Sequence, residues 1–193
     1  AYTYLKDKGF TPAENLLISK KAHLILPTHR LTDAANEKSK GDRKIGSTLK
    51  GIGPAYTDKI ARTGLRINDL FAADFTDKYN KLKQLHIRNI KALGYSVEEF
   101  KIEDKTLEEY EKLWFDAVEK LKKLTVIDTE YYINEQLKQG KKILAEGAQG
   151  TTLDVDFGSY PFVTSSSTVT AGVCSGLGVA PQNIGRVYGI IKA

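Results

Sequence analysis

Methionine is absent from all 193 positions, and cysteine occurs once, as Cys174. A single thiol cannot build a disulfide framework, so small cystine-stapled secreted folds are excluded and a reducing compartment, the cytoplasm, is expected. No window approaches the roughly 18 consecutive apolar residues of a membrane-spanning helix, and the first residues lack a signal-peptide layout. The three histidines, His23, His29 and His86, show no metal-ligand spacing, and there is no H-x-x-x-H pair with an intervening glutamate. The G-x-x-x-x-G-K-[ST] order of a phosphate-binding P-loop and the G-x-S-x-G nucleophile elbow are both missing. The missing initial methionine, and a final "RVYGIIKA" that stops inside a strand-like apolar run, lead us to expect a piece of a longer polypeptide.

What is present suits a folded chain. Hydrophobic residues make up 41% and charged residues 27%, close to ordinary globular usage. The net charge of +5 favours anionic partners, although most basic residues alternate with acids, as in "EEYEKLWFDAVEKLKK", and read as solvated helical faces. The apolar runs Leu16–Ile18 and Leu24–Leu26 predict short buried strands, with Pro27 ending the second. "LTDAANEKSK" predicts a helix starting near Thr32 or Asp33. Residues 41–54 predict a glycine-rich loop, with Pro54 as the first residue of a helix that ends at Gly64. Phe75, Tyr79, Leu82, His86, Ile90 and Leu93 repeat at helical spacing, which makes His86 structural. Thr106 and Glu109 form a T-x-x-E capping box before a further apolar stripe that includes Trp114, read as core. A helix from Asp128 to about Gln139, a buried strand "KKILAEG" at 141–147 and a last strand at 184–193 complete the pattern. The fold class is therefore α/β, in three stretches: 1–53 with strands and a loop, 54–140 mainly helical, and 141–193 with strands and a ligand-binding loop.

Two stretches have the residue types of an anion site. In "KIGSTLKGIGPAYTDKIARTGLR", Gly46, Gly51 and Gly53 would let backbone N–H groups approach a phosphate closely. Ser47 and Thr48 add hydroxyls, and Lys50, Lys59, Arg62 and Arg66 add positive charge. In "LAEGAQGTTLDVDFGSYPFVTSS", a strand would deliver Glu146, Gln149 and Thr151 at its carboxyl end, where α/β proteins place ligands. Gln149 offers a donor and an acceptor to a base edge, and Thr164 to Ser167 offer successive hydroxyls. Asp154 and Asp156 are open to a turn, salt-bridge or metal role.

Together, "GSTLKGIGPAYTDKIARTGLR" and "EGAQGTTLDVDFGSYPFVTSS", in this order and separation, resemble the adenylosuccinate synthetase family, and "RVYGIIKA" resembles the strand that follows there. The resemblance spans essentially the whole chain. It implies a helix-rich central part of a P-loop-NTPase-like synthetase fold with an incomplete sheet. It also implies a ligase of purine (AMP) biosynthesis that joins L-aspartate to IMP at the expense of GTP, with Mg2+. By position, Thr48 corresponds to a threonine at the IMP 5′-phosphate and Arg62 to an arginine reaching IMP in the neighbouring subunit of a homodimer. Gln149 corresponds to a glutamine near the base and its 6-oxygen, and Thr164 to a second threonine at the phosphate. The family's glycine loop, catalytic aspartate and catalytic histidine are expected before Ala1, and its guanine- and aspartate-recognition segments beyond Ala193. The 193 residues are thus expected to hold no catalytic residue, metal or cofactor of their own and not to turn over. Neither nucleic acid nor membrane is expected as a partner. Two competing readings are a basic nucleic-acid-binding domain, which needs a basic face with aromatic platforms, and a dimerisation segment without ligand.

Overall fold

In the computed structural model, which describes residues 2–191, Pro27 starts the helix that organises the first part of the chain. The chain divides into two units, Ala1–Asp128 and Thr129–Ala193. In the first, helices α1 (Tyr2–Asp7) and α2 (Pro12–Asn15) precede strand β1 (Leu17–Ser19). Four helices follow: α3 (Pro27–Ser39), α4 (Ile52–Ala61), α5 (Phe75–Ala92) and α6 (Leu107–Leu121). Strand β2 (Thr125–Ile127) then pairs parallel with β1, in the register Leu17 with Thr125 and Ser19 with Ile127. A parallel pair requires a crossover, and the four helices supply it.

The helix predicted to start near Thr32 begins five residues earlier. Pro27 occupies the first helical position, where its missing N–H costs nothing. His29, at the third, reaches back so that its Nδ1 accepts the Leu26 backbone N–H at 2.8 Å. Leu24 and Leu26 are accordingly core rather than strand, with Ile25 between them exposed. The strand at the first run is real, but it is part-exposed rather than buried. Helix α4 likewise starts earlier, at Ile52, and Pro54 sits in its third position. That position still belongs to the first turn, whose N–H groups have no helical acceptor.

Two apolar clusters form the core of this unit. Leu24, Leu26, Leu65, Ile67, Leu70, Phe75, Tyr79, Leu82 and Val118 make the first, with Trp114 and Phe115 packed on it. Leu31, Ala35, Ile90, Ile102 and Leu107 make the second. Helix α5 contributes to both, and α3 to the second, with Leu26 of the first cluster just ahead of its start. Polar residues are buried between the clusters: Thr28 and His29 in the first turn of α3, between Leu26 and Leu31, and His86 on α5, between Leu82 and Ile90. The capping box at the start of α6 forms as predicted, Thr106 Oγ1 accepting the Glu109 N–H at 3.3 Å and Glu109 Oε2 the Thr106 N–H at 2.9 Å. Trp114 donates its indole N–H to the Ile25 carbonyl at 2.9 Å, as a core residue does.

In the second unit, helices α7 (Thr129–Lys138) and α8 (Ala171–Leu177) are joined by Asn134, whose side chain donates to the Gly178 carbonyl at 2.9 Å. The strand predicted at 141–147 is absent; the segment is exposed and irregular, with Leu144 87% accessible. The strand predicted at 184–193 is also absent over its described part, 184–191, and residues 192–193 lie outside the described residues. A strand is defined by bonds to a neighbour, and among the described residues none pairs with either segment. The sheet is correspondingly small, two strands of three residues.

Candidate functional site

Three amides of the glycine-rich loop, those of Gly46, Ser47 and Gly51, are bonded within the chain. Asp33 and Glu37, one turn apart on α3, take them. Glu37 Oε2 accepts the N–H groups of Gly46 at 3.0 Å and Ser47 at 3.4 Å. Asp33 Oδ2 accepts the Gly51 N–H at 3.0 Å, and its Oδ1 accepts the Ser47 hydroxyl at 2.7 Å. This corrects the expectation that Gly46 and Gly51 would present their N–H groups to a phosphate: carboxylates of the same chain fill that role. The Lys40 ammonium, which donates to Glu37 Oε1 at 2.9 Å, and the loop amides hold the Glu37 carboxyl down to about 2 against the opposing effect of burial.

Gly51 is where the loop meets the helix. Its φ is +78°, and a Cβ there would lie 2.9 Å from both the Arg30 nitrogen and the His29 Cβ. Only glycine permits this approach. Leu49, at φ +55°, is a left-handed non-glycine residue, a conformation that costs on the order of 1 kcal/mol and has to be held by its surroundings. The Ser47 hydroxyl accepts the Leu49 N–H at 3.2 Å and Arg30 donates to the Leu49 carbonyl at 3.3 Å. Thr48 is exposed between these fixed points, with no hydrogen bond to the rest of the described chain. Lys50 is exposed beside it, its ammonium 3.8 Å from Glu103.

Behind the loop, α4 is locked to α3 and α5 through Asp58. Asp58 Oδ2 lies 2.8 Å from His29 Nε2 and 2.8 Å from His86 Nε2, and Oδ1 accepts the Thr63 hydroxyl at 3.1 Å. Because His29 Nδ1 accepts a backbone N–H, the ring's proton is on Nε2, which donates to Asp58. His86 Nδ1 shares a 2.7 Å hydrogen bond with the Thr28 hydroxyl. Burial lowers the His29 pKa below its ordinary value despite Asp58. Burial would raise Asp58, but the two imidazole donors outweigh it and hold the carboxyl well below the usual range. The three ligand-type atoms lie within 4.8 Å of one another, as a metal site would require. A metal on His29 Nε2 would, however, strip the ring of its last proton, since Nδ1 is already an acceptor. The cluster is a hydrogen-bonded lock and not a metal centre.

Arg62 terminates α4 in a left-handed conformation, φ +64°, exposed to solvent. Thr48 precedes the N-terminus of this helix and Arg62 follows its C-terminus, so a 10-residue helix, about 14 Å long, separates them.

In the second unit, Gln149 is exposed at φ +65°, next to Gly150, whose carbonyl accepts the Thr168 hydroxyl at 2.7 Å. Thr164 is half-buried; its N–H donates to the Leu153 carbonyl at 2.8 Å. Segments 150–155 and 164–169 are thus fastened to each other, and they carry Gln149 and Thr164 at their ends. The fastening centre is Asp154, fully buried, which accepts N–H groups from Asp156, Phe157, Thr168 and Val169 at 2.7–3.1 Å. Burial would raise its carboxyl, yet these four donors hold it down to about 2. Its oxygens are spent on the backbone, which rules out the metal role left open for it. Phe157, Tyr160 and Phe162 are exposed around this knot. Sequence reasoning missed Asp33, Glu37, His29 and Asp58 as organisers of the first stretch, although His29, Asp33 and Glu37 repeat every four residues on one helical face.

Comparison with known proteins identifies the family of the chain. A family model described as adenylosuccinate synthetase matches residues 2–193. The adenylosuccinate synthetase of Bacteroides fragilis is 55% identical over 98% of this chain, which spans 43% of that protein. That of Flavobacterium psychrophilum is 57% identical over 92% of this chain and 41% of its own length. The chain thus spans about two fifths of the length of the relatives it matches. A structure of fully ligated adenylosuccinate synthetase from Plasmodium falciparum superposes with a TM-score of 0.79 at 32% identity, covering 95% of this chain and 41% of that one. With matching fold, order and motifs along nearly every residue, the chain belongs to the adenylosuccinate synthetase family.

Proposed function

We propose that this chain supplies the IMP-contacting part of an adenylosuccinate synthetase, a cytoplasmic ligase of AMP biosynthesis acting on IMP, GTP and L-aspartate. The observation that carries the reading is the loop at 46–51, fastened from behind and presenting Thr48 outward beside Lys50. In the reaction, the γ-phosphoryl of GTP forms a bond to the 6-oxygen of IMP and GDP departs. The aspartate amine then bonds to C6, and the phosphate leaves with the oxygen. Thr48 and Thr164 hold the 5′-phosphate through hydroxyl donors, and Gln149 addresses the base near the 6-oxygen. These groups act by fixing the nucleotide where charge develops, an electrostatic and positional contribution.

Asp33, Glu37, Asp58 and Asp154 do not fit a magnesium ion, because their oxygens are committed to N–H and O–H donors. No step is assigned to a metal on these residues. The catalytic aspartate and histidine are expected on other parts of the enzyme, so no turnover is expected of the 193-residue chain by itself. The separation of Thr48 and Arg62 by the length of α4 supports a homodimer in which Arg62 reaches the neighbouring subunit's nucleotide.

Calorimetric titration of IMP into the full-length polypeptide tests this. Thr48→Ala and Arg62→Leu are each expected to weaken binding by about tenfold or more, as loss of a charge-assisted contact does. Equal affinity in wild type and both variants would overturn the reading.

A further inference from the structure

Helix α3 carries His29, Asp33 and Glu37 at intervals of four residues, and all three are buried. Each grips a different part of the stretch that follows. Glu37 holds Gly46 and Ser47, Asp33 holds Ser47 and Gly51, and His29 holds Asp58 in α4. Thr48 lies between the first two attachments, and Arg62 lies one turn beyond the third. Asp58 extends its own grip toward Arg62, because its carbonyl accepts the N–H groups of Thr63 and Gly64 at 3.0 and 3.1 Å and its carboxylate accepts the Thr63 hydroxyl.

We propose that the polar stripe His29–Asp33–Glu37 of α3 is a positioning device for nucleotide binding, setting Thr48 and Arg62 at the two ends of α4 from a single rigid helix. This rests on the assignment of Thr48 and Arg62 to the nucleotide phosphate. The device works as an internal counterpart of the ligand: Asp33 and Glu37 take the Gly46, Ser47 and Gly51 amides that a phosphate would otherwise engage. The phosphate is left to the Thr48 hydroxyl and the cationic side chains, and the strained turn at Leu49 is held in the ligand-ready form beforehand. An uncharged stripe would fail differently from an ordinary core defect. It would free the loop and the end of α4 while leaving both apolar clusters intact.

Two measurements separate the parts of this claim. In the 193-residue chain, amide hydrogen exchange is followed by NMR at Gly46, Ser47 and Gly51. Asp33→Ala is expected to release Gly51 and Glu37→Ala to release Gly46 and Ser47, while Asp33→Asn retains Gly51 protection because its amide oxygen still accepts there. In the full-length polypeptide, IMP affinity is measured for the same variants and for Ile90→Val, a core change of the second apolar cluster that destabilises without touching the stripe. Asp33→Ala and Glu37→Ala should weaken IMP by about tenfold or more, and Asp33→Asn and Ile90→Val by much less. Fast exchange at all three amides in wild type overturns the stripe as a clamp. Full IMP affinity in the stripe variants, with affinity lost in Thr48→Ala and Arg62→Leu, overturns its positioning role alone. Full affinity in every variant instead overturns the nucleotide assignment on which it rests.

Discussion

Asp58 is a buried carboxylate whose partners are two imidazoles rather than a lysine or arginine. That choice makes the first unit sensitive to mild acid. His29 is held below its ordinary value of 6.5 by burial. Below about pH 6.5 the unfolded chain takes up a proton at this ring that the folded chain refuses, so stability is full above that pH and falls as pH drops through the folded value. Asp58, also held below its ordinary value, contributes stability that is full above the range where free carboxyls protonate and is lost only as pH falls through that range and below it. Melting followed by circular dichroism should therefore give a lower midpoint at pH 5.5 than at pH 7.5. In His29→Asn, which keeps an acceptor for the Leu26 N–H but has no titrating ring, the difference between the two pH values should shrink. An equal pH difference in wild type and variant would contradict the assignment.

At the level of elements, what could be read in advance was what is written locally. The α5 stripe of Phe75, Tyr79, Leu82, His86 and Ile90 is buried as its spacing predicts, with Leu93 exposed at the end, and the box at Thr106 and Glu109 caps α6. Thr106→Ala should cost about 1 kcal/mol in denaturant unfolding, and Thr106→Ser should recover most of it. What could not be read depended on residues far apart in sequence. The glycine loop looked like an anion cradle because its glycines are local. Its actual anions, Asp33 and Glu37, sit 9 to 18 residues earlier, on a helix that starts at Pro27 rather than near Thr32. The same holds for the strands. Apolar runs at 141–147 and 184–191 have strand composition, but composition does not supply the neighbour that makes a strand. Of the four site residues proposed from the family motif, Thr48, Arg62 and Gln149 prove exposed and Thr164 half-buried, all on tightly fastened segments, and that fastening was invisible in the motif itself.

Over the whole molecule, the second unit exposes Leu144, Val187, Tyr188, Ile190 and Ile191, each at least 63% accessible. Exposed apolar stretches with unused backbone groups favour association. Light scattering of the 193-residue chain is expected to show concentration-dependent assembly, which Leu144→Lys with Ile190→Lys reduces; a strictly monomeric wild type would refute this. The first unit is built the other way, around a length rather than a surface. Because α5 threads one apolar cluster, the His86 lock and the other cluster in succession, its register is a common reference for all three. A single codon inserted between Leu82 and His86 would rotate everything downstream by about 100° and carry His86 and Ile90 off their partners together. This stretch of the gene should therefore absorb many exchanges of one letter for another and no change in reading length, whereas the open segment around 141–147 should accept both.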